Sequence, residues 1–225
     1  MMPLPRSLLL GILVFSIQWM SAVAYADDTF QVWYQSTIWW RLNQHWSLGS
    51  FADAHVDDGF GETYSWIASP RVRYDVNSHL QLQLNTSWLK SFNADHTTSS
   101  DIFRIEFEAN PRLSLTEHFQ LSMRDRFEWR SFGGGRLFNT RIRIRPQIDW
   151  IIANQGFFRG FFGSNEVFYD FDRERITENR LVPFGVIFRP AEALELRLYY
   201  LWRHTLGHEQ WFDYHVAGIS ATLSF

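Results

Sequence analysis

The sequence predicts an all-β chain that closes into an antiparallel transmembrane β-barrel of about 10–12 strands behind a cleaved signal peptide. Three observations predict it: an export-type N-terminus, a two-residue alternation of apolar and charged side chains that repeats down the rest of the chain, and an aromatic, arginine-rich composition.

The N-terminus comes first. Arg6 supplies a basic start, Leu8–Met20 is an apolar run, and Ala24-Tyr25-Ala26 is a small-residue cleavage pattern followed by Asp27 and Asp28. This divides the chain into a signal peptide, residues 1–26, and one barrel domain, residues 27–225. An uncleaved anchor is the competing reading, but the run is short for a span and the small-residue site is well placed. No later segment approaches the roughly 18 to 20 uninterrupted apolar residues of a transmembrane helix. A mature chain that enters a membrane must then do so as a closed sheet, because in hydrocarbon each backbone N–H and C=O needs an internal partner.

Composition narrows the function classes. Aromatics make up 18% of the 225 residues, with 11 Trp, and of 21 basic residues Lys90 is the one lysine. A solvated surface uses lysine freely, whereas arginine's planar fork suits several directed bonds to carboxylates in a confined space. There is no cysteine, hence neither disulfide nor thiolate chemistry. A formal net charge of −3 leaves no footprint for nucleic acid.

The segments follow in order. Phe30–Trp40 and Trp46–Val56 are strands of low contrast. Tyr64–Asp75 sets Tyr64, Trp66, Ala68, Val72 and Tyr74 against Ser65, Ser69, Arg71, Arg73 and Asp75. Leu80–Phe92 opposes Leu80, Leu82, Leu84 and Trp88 to Gln81, Gln83, Asn85 and Ser87. Phe103–Leu113 is the clearest: Phe103, Ile105, Phe107, Ala109, Pro111 and Leu113 alternate with Arg104, Glu106, Glu108, Asn110 and Arg112. In Phe119–Arg130, Phe119, Leu121, Met123, Phe127 and Trp129 alternate with Gln120, Ser122, Arg124, Arg126, Glu128 and Arg130. Thr140–Trp150 sets Ile142, Ile144, Pro146, Ile148 and Trp150 against Arg141, Arg143, Arg145, Gln147 and Asp149. Phe157–Tyr169 is apolar on both faces, so its sides stay unassigned. Glu178–Arg189, Leu194–Arg203 (with Glu195, Arg197 and Arg203 on its polar face) and Tyr214–Phe225 complete the set.

Short turns near Asn43–Gln44, Val76–His79, Leu115–His118, Ala153–Gly156 and Pro190–Ala193 alternate with longer polar loops at Asp57–Glu62, Asn93–Asp101, Ser131–Phe138, Asp170–Thr177 and His204–Gln210. That alternation is expected of a barrel with tight periplasmic turns and freer outer loops. Apolar faces end in aromatics: Trp66, Trp88, Trp129 and Trp202 toward the long loops, Tyr74, Phe119 and Trp150 toward the turns, as two headgroup-depth girdles require. Ile219, Ala221, Leu223 and Phe225 end the last strand in the pattern read by the barrel-assembly machinery. Eleven segments emerge, whereas bacterial barrels take an even number, so ten or twelve wall strands are expected. Asp125 falls on the lipid side, which calls for a bulge or a protein contact there.

Arg124-x-Arg126-x-Glu128-x-Arg130, Arg141-x-Arg143-x-Arg145, Glu166 with Phe168, Asn179-Arg180 before Gly185, and Leu198-Tyr199-Tyr200-Leu201 resemble family 2490 of the domains of unknown function, a set of outer-membrane barrels. The resemblance spans nearly the whole mature chain. It implies fold and an outer-membrane location in a Gram-negative-type envelope, and transfers no catalytic residue.

The chemistry is expected inside. The lumen-lining set is Arg71, Arg73, Arg104, Glu106, Glu108, Arg124, Arg126, Glu128, Arg130, Arg141, Arg143, Arg145 and Arg197, with Arg112, Arg203, Asp75, Asp149 and Glu195 beside it. Rings of Arg would make a porin-like, anion-preferring passage; Arg and Glu paired across the lumen would make a structural plug. Barrels of about eight strands are filled by side chains and open channels belong to about sixteen, so the plug or a narrow pore is the stronger expectation. An enzyme acting on lipid or lipopolysaccharide is the alternative. No G-x-S-x-G and no local Ser/His/Asp grouping supports it, so no catalytic, metal or cofactor residue is assigned. The histidines, His45, His55, His79, His96, His118, His204, His208 and His215, read as solvated loop residues, with His204 and His208 in a loop beside Glu209. Gly133-Gly134-Gly135 lacks the strand–loop–helix setting of a phosphate cradle and reads as a loop tip. The partners are outer-membrane lipid, lipopolysaccharide and, through Phe225, the assembly machinery.

Overall fold

Alternation with a period of two becomes a wall with two unlike faces. The computed structural model describes residues 30–225 except 57–62, 93–96, 134–135, 154 and 208. The signal peptide, the Asp57–Glu62 loop, His96, His208 and Gly134-Gly135 lie outside the described residues. The strands are β1 (Phe30–Arg41), β2 (Trp46–Val56), β3 (Thr63–Asp75), β4 (Leu80–Phe92), β5 (Ser99–Ser114), β6 (Phe119–Phe132), β7 (Arg136–Ile151), β8 (Phe158–Asp170), β9 (Arg175–Ala191), β10 (Leu194–Leu206) and β11 (Trp211–Ser224). Neighbours in sequence are neighbours in space, and the sheet closes between β1 and β11.

The closure corrects the expectation of an even strand number. β1 and β11 run in the same direction: Phe30 faces His215 and Trp39 faces Ser224. The other neighbouring pairs are antiparallel. An even count is required only when the first and last strands must run oppositely. A parallel ladder satisfies the same backbone groups with slanted bonds, so an odd barrel closes equally well. Beyond the paired register, the Arg41 N–H donates to the Phe225 carbonyl (2.9 Å) and the Phe225 N–H to the Trp39 carbonyl (3.0 Å). The Phe225 ring stays 67% exposed on the outside.

The strands also run further than the sequence pattern indicates. Residues 171–174 and 207–210 connect their strands as briefly as residues 42–45 do, so the expected contrast between long loops and short turns is weaker than predicted. His204 accordingly sits in β10 and not in a loop. At the other end three turns repeat one device. The side-chain oxygen of Asn43, Asn77 or Thr116 accepts backbone N–H groups two and three residues on, at 2.8–3.1 Å. This is the Asx or ST turn that such residues form locally. His45 and His118, last in their turns, bond the carbonyls of Asp75 (2.9 Å) and Ile151 (3.1 Å), so they tie turns to neighbouring strands instead of being merely solvated.

Large apolar side chains such as Leu84, Trp88, Phe103, Phe107, Phe127, Trp129, Ile144 and Phe184 point outward and are exposed. The buried set is instead rich in Arg, Glu, Asp, Asn and Ser. Three aromatics that turn inward have a glycine opposite that makes room. Trp39 faces Gly49, Phe162 faces Gly185 and Tyr199 faces Gly218. A Cβ on these glycines would meet the rings at 2.5, 2.2 and 2.1 Å, so each ring lies flat over its neighbour's backbone. No bulge occurs at Asp125: β6 pairs β7 without a shift from Phe119 to Arg130, leaving Asp125 outward between Ala109 and Ile144. Nothing in the structure explains that carboxylate.

Candidate functional site

The lumen is built from rows of side chains on β5, β6 and β7. Pairing sets Glu106 opposite Glu128, Glu108 opposite Arg126, Arg126 opposite Arg143 and Glu128 opposite Arg141. Like and unlike charges thus alternate diagonally, and each carboxylate is reached from two strands. Glu128, 0% exposed, is the hub. It accepts from Arg141 Nε (2.8 Å) and Nη2 (2.6 Å) on one oxygen and from Arg143 Nη1 (2.7 Å) on the other. Arg126 reaches Glu106 at 3.2 Å and donates from Nε to Glu108 at 2.6 Å. Asn85 donates to both Glu106 (3.2 Å) and Glu108 (3.0 Å).

The network continues onto β8–β10. Glu166 accepts from Arg143 Nε (2.9 Å) and from Arg124. Asp170 accepts from Arg130 (2.6 Å). Glu178 accepts from the Nε of both Arg180 and Arg203, each at 2.7 Å. Arg197 bonds Glu195 (2.8 Å) and reaches Asp149 (3.4 Å). Phe168 is fully buried beneath the guanidinium groups of Arg141, Arg143 and Arg180, 4.3–4.8 Å from its ring centre. Its face offers the partly negative π surface that cations favour.

The residues predicted to line the lumen are placed as follows. Arg104, Glu106, Glu108, Arg124, Arg126, Glu128, Arg130, Arg141 and Arg143 make the network, and Arg197 joins it from β10. Arg73 stacks on Trp39 near the turns and bonds Ser47 (3.2 Å). Arg71 and Arg145 face an adjoining chamber. Sequence reasoning missed Glu166, Asp170, Glu178 and Arg180 as lumen residues. The pairing of β8 slips at Phe158/Gly160, Phe162/Ser164 and Phe168/Tyr169, and that of β9 with β10 between Tyr200 and Trp202. Each slip breaks the alternation. Pro183 inside a strand was the available sign, since proline is confined to edges and bulges.

Also missed was a polar cluster on β1–β3. His55 is buried, stacked on Trp33 at 4.1 Å, with Nε2 2.9 Å from Asp53 Oδ2 and Nδ1 2.9 Å from Ser65 Oγ. On the outer face, His204 stacks on Trp211 (4.4 Å) and bonds Asp213 (2.7 Å), which also accepts from the Trp202 indole (2.8 Å).

The network does not fill the barrel. A chamber of about 650 Å³ remains between it and the β1–β3 and β10–β11 walls. A second cavity of about 250 Å³ lies between Gln81, Asn110, Gln120 and Asp149. Arg124, Arg145, Gln147 and Arg197 line both and form the shelf between them.

A closed sheet with an apolar outside and an ionised interior has the architecture of an outer-membrane β-barrel. The chain belongs to the family described as protein of unknown function (DUF2490), whose model matches residues 30–213. A solved structure described as a bacterial polysaccharide outer membrane secretin is similar in fold, with a TM-score of 0.52 and 9% identity. The match covers 79% of this chain and 64% of the secretin's, so this chain spans less than two thirds of it. No curated protein matches the sequence.

Proposed function

We propose that this protein is an outer-membrane barrel whose lumen is braced shut by its Arg/Glu network. It is set in outer-membrane lipid and lipopolysaccharide by its aromatic exterior. Glu128 carries the reading: a carboxylate with no solvent exposure, gripped by two guanidinium groups from the next strand, belongs to a packed interior and not to a wet pore wall. The expected result in planar bilayers is a current indistinguishable from the bare membrane. Steady, ohmic conductance of general-porin size would overturn the proposal.

An enzyme is the second reading, and one observation favours it: the Asp53–His55–Ser65 string. Three features weigh against turnover. All three groups are buried, the serine sits on Nδ1, and the string faces a lumen lined by arginines and carboxylates and not the lipid side. Incubation with a fluorophosphonate probe is expected to leave Ser65 unlabelled; labelling lost in Ser65→Ala would instead establish a nucleophile.

A further inference from the structure

We propose that the chamber holds a binding site for a small oxyanion, a carboxylate- or phosphate-bearing solute, formed by Arg71, Arg145 and Arg124. The inference rests on the reading of the lumen as a closed, paired network.

Among the arginines lining the chamber, Arg104, Arg124, Arg126, Arg130, Arg141, Arg143, Arg180, Arg197 and Arg203 each have a carboxylate within 4 Å. Among the described residues Arg71 and Arg145 have none, though both line the same chamber. Arg145 lies directly opposite Arg124 across the β6–β7 pair, like charge against like charge. Acids in and beside the chamber are engaged elsewhere: Glu166 by Arg124 and Arg143, Glu108 by Arg126 and Asn85, and Asp53 by His55 and Gln35 through one oxygen. The other Asp53 oxygen is unpartnered and more than 4 Å from any guanidinium nitrogen among the described residues. The Nε atoms of Arg71, Arg124 and Arg145 are all buried without a hydrogen-bond partner. The Arg71 guanidinium lies 3.8 Å over the Phe51 ring, which fixes its plane and leaves its edge donors free.

A buried charge without a partner is costly, and water solvates it without neutralising it. Three guanidinium forks around one void supply what an oxyanion requires: planar, directed N–H donors that match its oxygens in pairs. A chamber of about 650 Å³ admits a small acid or sugar acid and not a polymer chain. The shelf position of Arg124 and Arg145 puts the anion where the two cavities meet.

The test uses the full barrel folded in detergent micelles, with the melting temperature read from loss of its folded, heat-modifiable band. Inorganic phosphate, glucuronate, glucose and sodium chloride are titrated at matched ionic strength. A saturable rise with phosphate, glucuronate or both, absent with glucose and chloride, is expected; which anion acts identifies a phosphoryl or a carboxylate ligand. Arg145→Gln and Arg71→Gln should each weaken that response at least tenfold. In anion-free buffer Arg145→Gln should melt no lower than the parent, because it removes an uncompensated charge. No saturable rise, an equal rise with glucose, or an undiminished response in both variants would overturn the site. Glu128→Gln separates the two failures. If it destabilises the barrel while anions do nothing, the site alone is wrong; if it leaves the melting temperature unchanged, the closed network fails as well.

Discussion

Replacing Glu128 by Gln is expected to destabilise the folded barrel by about 3 to 5 kcal/mol, measured by urea unfolding from micelles. The carboxylate is isosteric with the amide, so packing is retained and the loss is electrostatic. Arg141 and Arg143 each give it bonds of 2.6–2.8 Å, and Arg126 lies 3.6 Å away. With the negative charge gone, those buried guanidinium groups face one another without a counter-charge, and the amide nitrogen can only add a donor where an acceptor is needed. If water filled this region, screening would hold the effect below about 1 kcal/mol.

Glu166→Gln should cost a similar amount, about 3 to 5 kcal/mol, by a different route. Arg143 keeps its bond to Glu128, but Arg124 loses its carboxylate. Arg124 would then join Arg145, directly opposite, as a second unpaired cation on the shelf. Added phosphate should recover more of the stability of this variant than of Glu128→Gln, because Arg124 and Arg145 form the proposed anion site. Equal recovery in both would show a general salt effect.

The sequence made the β5–β7 wall readable because those strands keep unbroken two-residue alternation through their charged rows, without a slip in pairing. Arg126, Glu128, Arg141 and Arg143 could therefore be assigned inward from spacing alone. Glu166, Glu178 and Arg180 could not, since the bulges of β8 and β9 change which parity faces in. The eleven strands were legible as segments, but the parallel closure was not. It depends on where β1 begins relative to β11, a long-range fact that local pattern does not encode. The absence of a partner for Arg145 is equally illegible: composition shows an excess of arginine, while only the three-dimensional arrangement shows that Glu166 is spent on Arg124 and Arg143. The Asp53–His55–Ser65 string joins residues of two strands that the pairing register sets side by side, which local pattern does not show.

The central claim is that the lumen's charges act as buried pairs. A double-mutant cycle of Glu128→Gln with Arg141→Gln tests it most directly, because Arg141 contacts no other carboxylate within 4 Å among the described residues. A coupling energy of about 1 to 3 kcal/mol is predicted, little changed between roughly 0.05 and 1 M salt, since a buried pair is screened far less than an exposed one. A coupling below about 0.5 kcal/mol that vanishes at high salt would contradict the account and mark the lumen as a solvated pore.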